Sequence, residues 1–279
     1  FFPTVAVILN IEADHLDFFQ DLEDVEHSFR TFADLVPENG LIIANRDDAN
    51  TMKTLEGETR RVITFGLSEG DVHAGDLTWE KGLPAFDVVY RGEAFAHVSL
   101  KVPGAHNVLD ALAAAASAIA LGMPARAVEE GLAAFRGAGR RFEHKGSCNG
   151  AEVYDDYAHH PGELRALLST AKTLGYERVV CAFQPHTYTR TKALFDDFVE
   201  VLRESDLTLL AEIFAAREVN TIGISSRDLA NKIPGSRYFA TLPELTAHLK
   251  EIARPGDLIL TVGAGDIYTV GEALVADVI

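Results

Sequence analysis

The sequence is poor in the residues that staple or anchor a chain. It has two cysteines, Cys148 and Cys181, in 279 residues. Their spacing suits neither a metal site nor a redox pair, so the expectation is two reduced thiols in a cytoplasmic protein. Long hydrophobic runs are missing as well. The most apolar stretch, ALAAAASAIALGM over 111–123, is Ala-rich and short of the ~20 residues of a membrane span. That excludes membrane insertion through a helix, and no signal or transit peptide is visible. Positive charge is scarce: Lys plus Arg number 25 against 42 Asp plus Glu, a formal charge of −17. This argues against a nucleic-acid or anionic-membrane surface. A small anionic ligand stays compatible, and any local cluster of cations then becomes informative. The pattern G-x-x-x-x-G-K-[ST], the usual loop for the β- and γ-phosphates of ATP, does not occur.

What remains is an ordinary globular composition, with 47% hydrophobic and 24% charged residues, long enough for two domains. The first part mixes element types. Val5 to Leu9 reads as a buried strand, and 24–36 has apolar residues at helical spacing. Strands are expected at 41–45 and 61–66. Three alternating stretches follow, VHAGDLTWE, AFDVVYRG and FAHVSLKV, with a hairpin turn at Arg91-Gly92-Glu93. A helix over 105–122 is apolar almost all round, which predicts burial. A shorter helix spans 125–136, and the Gly-rich, charged stretch 136–146 reads as a domain linker.

From residue 150 the pattern becomes regular. AEVYDDY is a strand. Pro161 opens a helix with Leu164, Leu167, Leu168, Ala171 and Leu174 on one face. VVCAF, LTLLAEI, RYFA and LILTVG are further strands, each followed by a helical segment, and Leu194, Phe195, Phe198, Val201 and Leu202 mark one of those helices. Alternation of this kind predicts a doubly wound, mostly parallel sheet with ligands beyond the carboxyl ends of its strands. Four strand ends run into DDYAHHP, QPHTYTR, FAAREVN and GAGD, which gather His159, His160, His186, Arg190 and Arg217 at one edge. Despite the acidic composition, that edge is a local basic patch.

Each of these features has a plain alternative. His159-His160 is either a site pair or an exposed pair. Asp155-Asp156 are functional or capping carboxylates, and Arg140-Arg141 are ligand-binding or ordinary linker charge. Gly263-Ala264-Gly265 is a nucleotide loop or a tight turn. His106-Asn107, at the start of the long helix, suits either caps or a nucleotide. His15, with Glu12 and Asp17, is a loop cluster or a Mg²⁺ site of the oxygen-rich kind with one His.

Taken together, NIEADHLD (10–17), PGAHNVLDALAA (103–114), FRGAGRRFE (135–143), DDYAHHPGE (155–163), FQPHTYTRT (183–191), AARE (215–218) and GAGD (263–266) resemble the Mur ligases in order and spacing, from the first residue nearly to the last. The resemblance implies an α/β chain: a partial central ATPase-type domain without its P-loop over 1–138, then a Rossmann-like doubly wound C-terminal domain over 139–279. It implies an ATP- and Mg²⁺-dependent, amide-forming ligase of peptidoglycan synthesis working through an acyl phosphate. The FQPH stretch implies UDP-N-acetylmuramate as the acid and L-alanine as the amine; a murein tripeptide is the alternative acceptor, and a non-catalytic nucleotide- or peptide-binding remnant the alternative role.

By motif, His15 resembles the ligand of a second Mg²⁺, with Asn10 and Glu12 lining the same pocket. His106 and Asn107 resemble adenine-side contacts. Arg141 resembles the linker arginine that reaches ATP, and Asp156 the carboxylate that holds the ribose hydroxyls. Tyr157, His159, His186 and Arg190 match positions around the amino-acid pocket and the attacked carbonyl. Two residues depart from the pattern. Thr187 stands where many members have Arg, which leaves Arg190 as the carboxylate anchor, and Asp110 stands where Asn is common. Without a P-loop or a UDP-sugar domain, this stretch by itself is expected to be inactive. Its opening strand is expected to drive homodimerisation or disorder near the N-terminus.

Overall fold

A computed structural model describes residues 2–14 and 18–276. His15, the expected metal ligand, and Asp17 lie outside the described residues. The chain divides into two compact units, Phe1–Arg136 and Gly137–Ile279.

Among the described residues of the first unit, six strands form one sheet in the order β1 (Val5–Ile8), β2 (Leu41–Asn45), β3 (Arg61–Gly66), β4 (Val72–Glu80), β5 (Leu83–Tyr90) and β6 (Glu93–Ser99). β1 to β4 run parallel, and β4, β5 and β6 pair antiparallel. Two hairpins close on two-residue turns, Lys81-Gly82 and Arg91-Gly92, with all four residues at positive φ. That is the turn type whose twist matches the flanking strands, and glycine suits its second position.

β2 shows why the sheet needs cover on both faces. Leu41 and Ile43 point into one core, and Ile42 and Ala44 into another. The first core lies under α3 (Ala105–Ala120), through Val108, Leu112, Ala115 and Ala116. The second lies under α1 (Leu22–Asp34), through Val25 and Ala33. The near-uniform apolarity of α3 thus corresponds to a helix pressed on a sheet, as its sequence predicts. α4 (Ala125–Ala134) follows it. α2 (Ala49–Thr54), which the sequence pattern does not announce, is a short helix capped by Asp48, whose Oδ1 accepts from Thr51 N–H at 2.7 Å.

In the second unit the sheet order is β11 (Arg237–Phe239), β10 (Leu207–Ala211), β9 (Arg178–Phe183), β12 (Asp257–Val262), β8 (Ala151–Asp156) and β7 (Glu143–Cys148). All pairs are parallel except β7 with β8. β9 alternates between two cores: Val179, Cys181 and Phe183 face one, Val180 and Ala182 the other. α5 (Pro161–Lys172), α7 (Phe195–Leu202) and α8 (Ser226–Ala230) cover the first face, α9 (Leu242–Ile252) and α10 (Tyr268–Val275) the second. This is the doubly wound arrangement that the alternating pattern predicts.

Two sequence readings need correction. Residues 143–146, read as linker, begin β7, which turns into β8 through Asn149-Gly150 at φ 51° and 83°. An Asn-Gly pair between two short strands is a hairpin signal, and the polar EHKGSC run obscured it. The TYTR stretch, to which the sequence reading gave no element, is a separate short helix, α6 (Tyr188–Ala193), ahead of α7.

Candidate functional site

The chain passes from β8 to β9, moves outward to β10 and β11, and returns to place β12 between the first two. The ends of β8, β12 and β9 are therefore neighbours: Val262 is in register with both Asp156 and Phe183. A reversal of strand order of this kind leaves a crevice at the carboxyl edge. Gly263 turns the chain there at φ 145°, and a Cβ on it would lie 2.6 Å from the Gln184 carbonyl oxygen. Gln184 pins the GAGD loop from the β9 side, donating to Asp266 at 2.8 Å and accepting from Ile267 N–H at 3.1 Å.

The paired residues of the motifs part company at this edge. Successive strand residues point to opposite faces, so Asp155 and Asp156 meet different partners. Asp155 is 1% exposed, and it accepts from Arg140 Nε at 2.9 Å and from the Thr261 hydroxyl at 2.8 Å. Asp156 accepts one backbone N–H on each oxygen, from Phe142 and Ala158, both at 2.8 Å. Burial holds its pKa above the ordinary carboxylate value, against those two amides and the nearby Arg141. Each Asp156 oxygen keeps acceptor capacity for a further donor.

Arg140 is a clamp. Besides Asp155 it donates to the Gly263 carbonyl at 2.6 Å, and its guanidinium lies over the rings of Tyr157 at 4.9 Å and Tyr268 at 4.8 Å. Arg141 is half-exposed and reaches Glu163 at 3.4 Å. His159 and His160 separate in the same way. His160 is the N-cap of α5, its Nδ1 accepting from Gly162 N–H at 3.2 Å. His159 faces His186, ring to ring at 6.0 Å, with Tyr157 5.5 Å away on its other side. Glu163, which the sequence reading passed over, accepts from His159 N–H at 2.9 Å. Burial pushes its pKa up, but the His159 amide and the charges of His159, His160 and Arg141 prevail and hold it below the ordinary value. The available signal was its place in the first turn after Pro161, where a carboxylate reaches back to the chain before the cap.

His186 stacks on Phe214 at 5.6 Å, with its Nδ1 3.5 Å from Arg190 Nη1. Burial, then the charges of Arg190 and His159, lower its pKa. At neutral pH it is an uncharged imidazole beside a fixed cation. The structure thus brings Tyr157, His159, His186 and Arg190 into one row.

In the first unit, the stretch after β1 is stitched to the β2–α2 junction. Asn45 donates to the Leu9 carbonyl at 2.9 Å, Asn50 to the Ile11 carbonyl at 2.8 Å, and Asp48 accepts from Ile11 N–H at 3.2 Å. Ile11 is fully buried, while its neighbours Asn10 and Glu12 are exposed. β6 runs parallel to β1, because two antiparallel pairings separate it from β4. Asn10 and Glu12 after β1, and His106 and Asn107 after β6, thus leave the same edge of the sheet. Asn107 donates to the Pro103 carbonyl at 2.7 Å and lies 3.1 Å from His106 Nε2, so part of this pair's bonding is local capping. Among the described residues no group of three or more His, Cys, Asp or Glu could hold a metal ion, and no helix is long and apolar enough to cross a membrane.

Two family models match the chain, the Mur ligase middle domain over residues 1–118 and the Mur ligase glutamate ligase domain over 140–265. Together these models cover most of the chain, which belongs to the Mur ligase family. Within the family it is similar to the UDP-N-acetylmuramate–L-alanine ligases of Clostridium novyi, 46% identical over 98% of this chain, and of Caldanaerobacter subterraneus, 44% identical over 98%. It spans 60% of the length of either. The crystal structure of the UDP-N-acetylmuramate–alanine ligase from Thermotoga maritima superposes on 99% of this chain and 60% of its own, with a TM-score of 0.79 at 28% identity. A murein peptide ligase from Psychrobacter arcticus shares the fold, with a TM-score of 0.69 at 23% identity over 99% of this chain and 57% of its own.

Proposed function

We propose that residues 1–138 are the later part of an ATP-binding central domain and 139–279 the C-terminal domain of a cytoplasmic ligase that joins L-alanine to UDP-N-acetylmuramate. The observation that carries this reading is the row of His159, His186 and Arg190 at the strand-order reversal. A fixed guanidinium there binds a carboxylate in two-pronged fashion, and Thr187 cannot replace it. Arg190 anchors the alanine carboxylate. His159 and the uncharged His186 flank the attacked carbonyl, where they hold or move the proton of the incoming amine. Tyr157 lines the pocket.

Asp156 fits a ribose: each of its oxygens accepts one amide and keeps capacity for a hydroxyl. Arg141, half-exposed, is free in direction to meet phosphate, while Arg140 is committed to the fold. His106 and Asn107 take the adenine side. Asn10 and Glu12 line the pocket near the reacting groups, and His15 is the proposed Mg²⁺ ligand. When bound, ATP would supply the phosphoryl group that activates the acid as an acyl phosphate, and Mg²⁺ would offset the phosphate charge. The protein's own contribution is positioning and charge stabilisation.

The test is ligation by the full-length protein, with UDP-N-acetylmuramate, ATP and either L-alanine or murein tripeptide. Product with L-alanine is expected. Product with the tripeptide alone would replace this reading by the recycling one. The 279-residue chain assayed by itself is expected to show no turnover, and turnover above background would overturn that expectation.

A further inference from the structure

α6 is six residues long, too short to be stable without help. Its N-cap, Thr187, makes no side-chain cap, and its backbone sits at φ 67°, ψ 144°, a region that β-branched residues avoid. Something outside the helix holds it. The chain before α6 is tied to the loop after β10: Thr187 N–H donates to the Phe214 carbonyl and Phe214 N–H to the Pro185 carbonyl, both at 2.9 Å. From the same loop Glu218, 30 residues from Tyr188, reaches the open end of the helix. Its Oε2 accepts from Tyr188 N–H at 2.6 Å and from Thr189 N–H at 3.0 Å, and its Oε1 from the Thr189 hydroxyl. An ionised carboxylate at a helix N-terminus makes short, charge-assisted bonds and complements the helix dipole. Burial opposes ionisation of Glu218, but the Thr189 hydroxyl and the two amides outweigh it and lower its pKa.

Arg190 lies in this first turn, and His186 immediately precedes Thr187. We propose that Glu218 is a positioning residue: by capping α6 from the neighbouring loop, it fixes Arg190 and His186 relative to each other for the carboxylate of the amine substrate. The inference rests on the proposed ligase function.

The experiment compares Glu218→Ala and Glu218→Gln in the full-length protein. Gln keeps an oxygen for both amides and loses the charge; Ala loses both. For Glu218→Ala the expected result is an L-alanine KM raised about tenfold or more, with the ATP KM within about twofold, and hydrogen exchange of the 186–192 segment faster by about tenfold. Glu218→Gln, which keeps the acceptor and loses the charge, is expected to fall between the unmutated protein and Glu218→Ala in both. Unchanged exchange in 186–192 overturns the inference whatever the activity. Faster exchange with an unchanged L-alanine KM overturns it too, since the cap would then be structural only. An unmutated enzyme that ligates no L-alanine removes the ligase reading instead, and shows this before any variant is made.

Discussion

Arg140 and the buried Asp155 form an ion pair, Nε to Oδ2 at 2.9 Å, that joins the start of the second unit to the end of its β8 strand. Because Arg140 also grips the Gly263 carbonyl, one side chain holds both walls around Asp156. Removing one member of a buried pair leaves the other uncompensated. Arg140→Ala is expected to destabilise the unit by ~3–5 kcal/mol. Arg140→Lys should recover only part, because an ammonium cannot donate along all these directions and stacks less well on Tyr157 and Tyr268. Urea unfolding of both variants checks this, and equal midpoints for Lys and the unmutated protein would contradict it.

His186 has a pKa below its ordinary value of 6.5, by burial first and then by the charges of Arg190 and His159. The unfolded chain therefore binds this proton more tightly than the folded one. The sign follows: the contribution to stability is fully present above pH ~6.5, and is lost as pH falls through the lower, folded value. An NMR titration of the His186 ring is expected to show a midpoint below 6.5. Arg190→Met should move that midpoint upward; no movement would remove Arg190 as a cause.

Gly150 and Gly175 both sit at positive φ, 83° and 78°. A Cβ at Gly150 would lie 2.8 Å from Pro255 Cγ, whereas at Gly175 nothing lies within 4 Å. Gly175→Ala is expected to cost about 1–2 kcal/mol, the backbone term alone. Gly150→Ala should cost more, because the added methyl must also displace the proline ring. Thermal melts of the two variants give the comparison, and equal losses would show that Pro255 yields freely.

Among the described residues β1 ends the first sheet, and Val7 in it and Leu9 after it are 40% and 42% exposed. Apolar edge strands pair with other chains. The 279-residue chain by itself is expected to self-associate, and Val7→Lys with Leu9→Lys should shift it to monomer with little change in unfolding midpoint. Light scattering decides; a monomeric unmutated chain would end the proposal.

Periodicity made much of the fold legible. LIIAN is a strand, as its pattern predicts, and is buried along all five positions of β2; Leu164, Leu167, Leu168 and Ala171 form the buried face of α5, as theirs predicts. What patterns passed over was short or polar: α2, α6 and β7, elements too small or too hydrophilic to carry a period. Motif order in turn carried the family, because residue types that bind phosphates, carboxylates and metals recur at strand ends.

The sequence by itself determined the longer elements, the family and most of the residues from which a site could be drawn. The tertiary structure decided which partners each member of an adjacent pair meets. Asp155 is held by Arg140 and Thr261, Asp156 by two backbone amides, and His160 caps α5 while His159 lies between Tyr157 and His186. The partners of Glu163 and Glu218 became visible only in the fold. The reason is physical: a side chain's role follows from what it meets, and Arg140 meets a carbonyl 123 residues away, a distance no local pattern records.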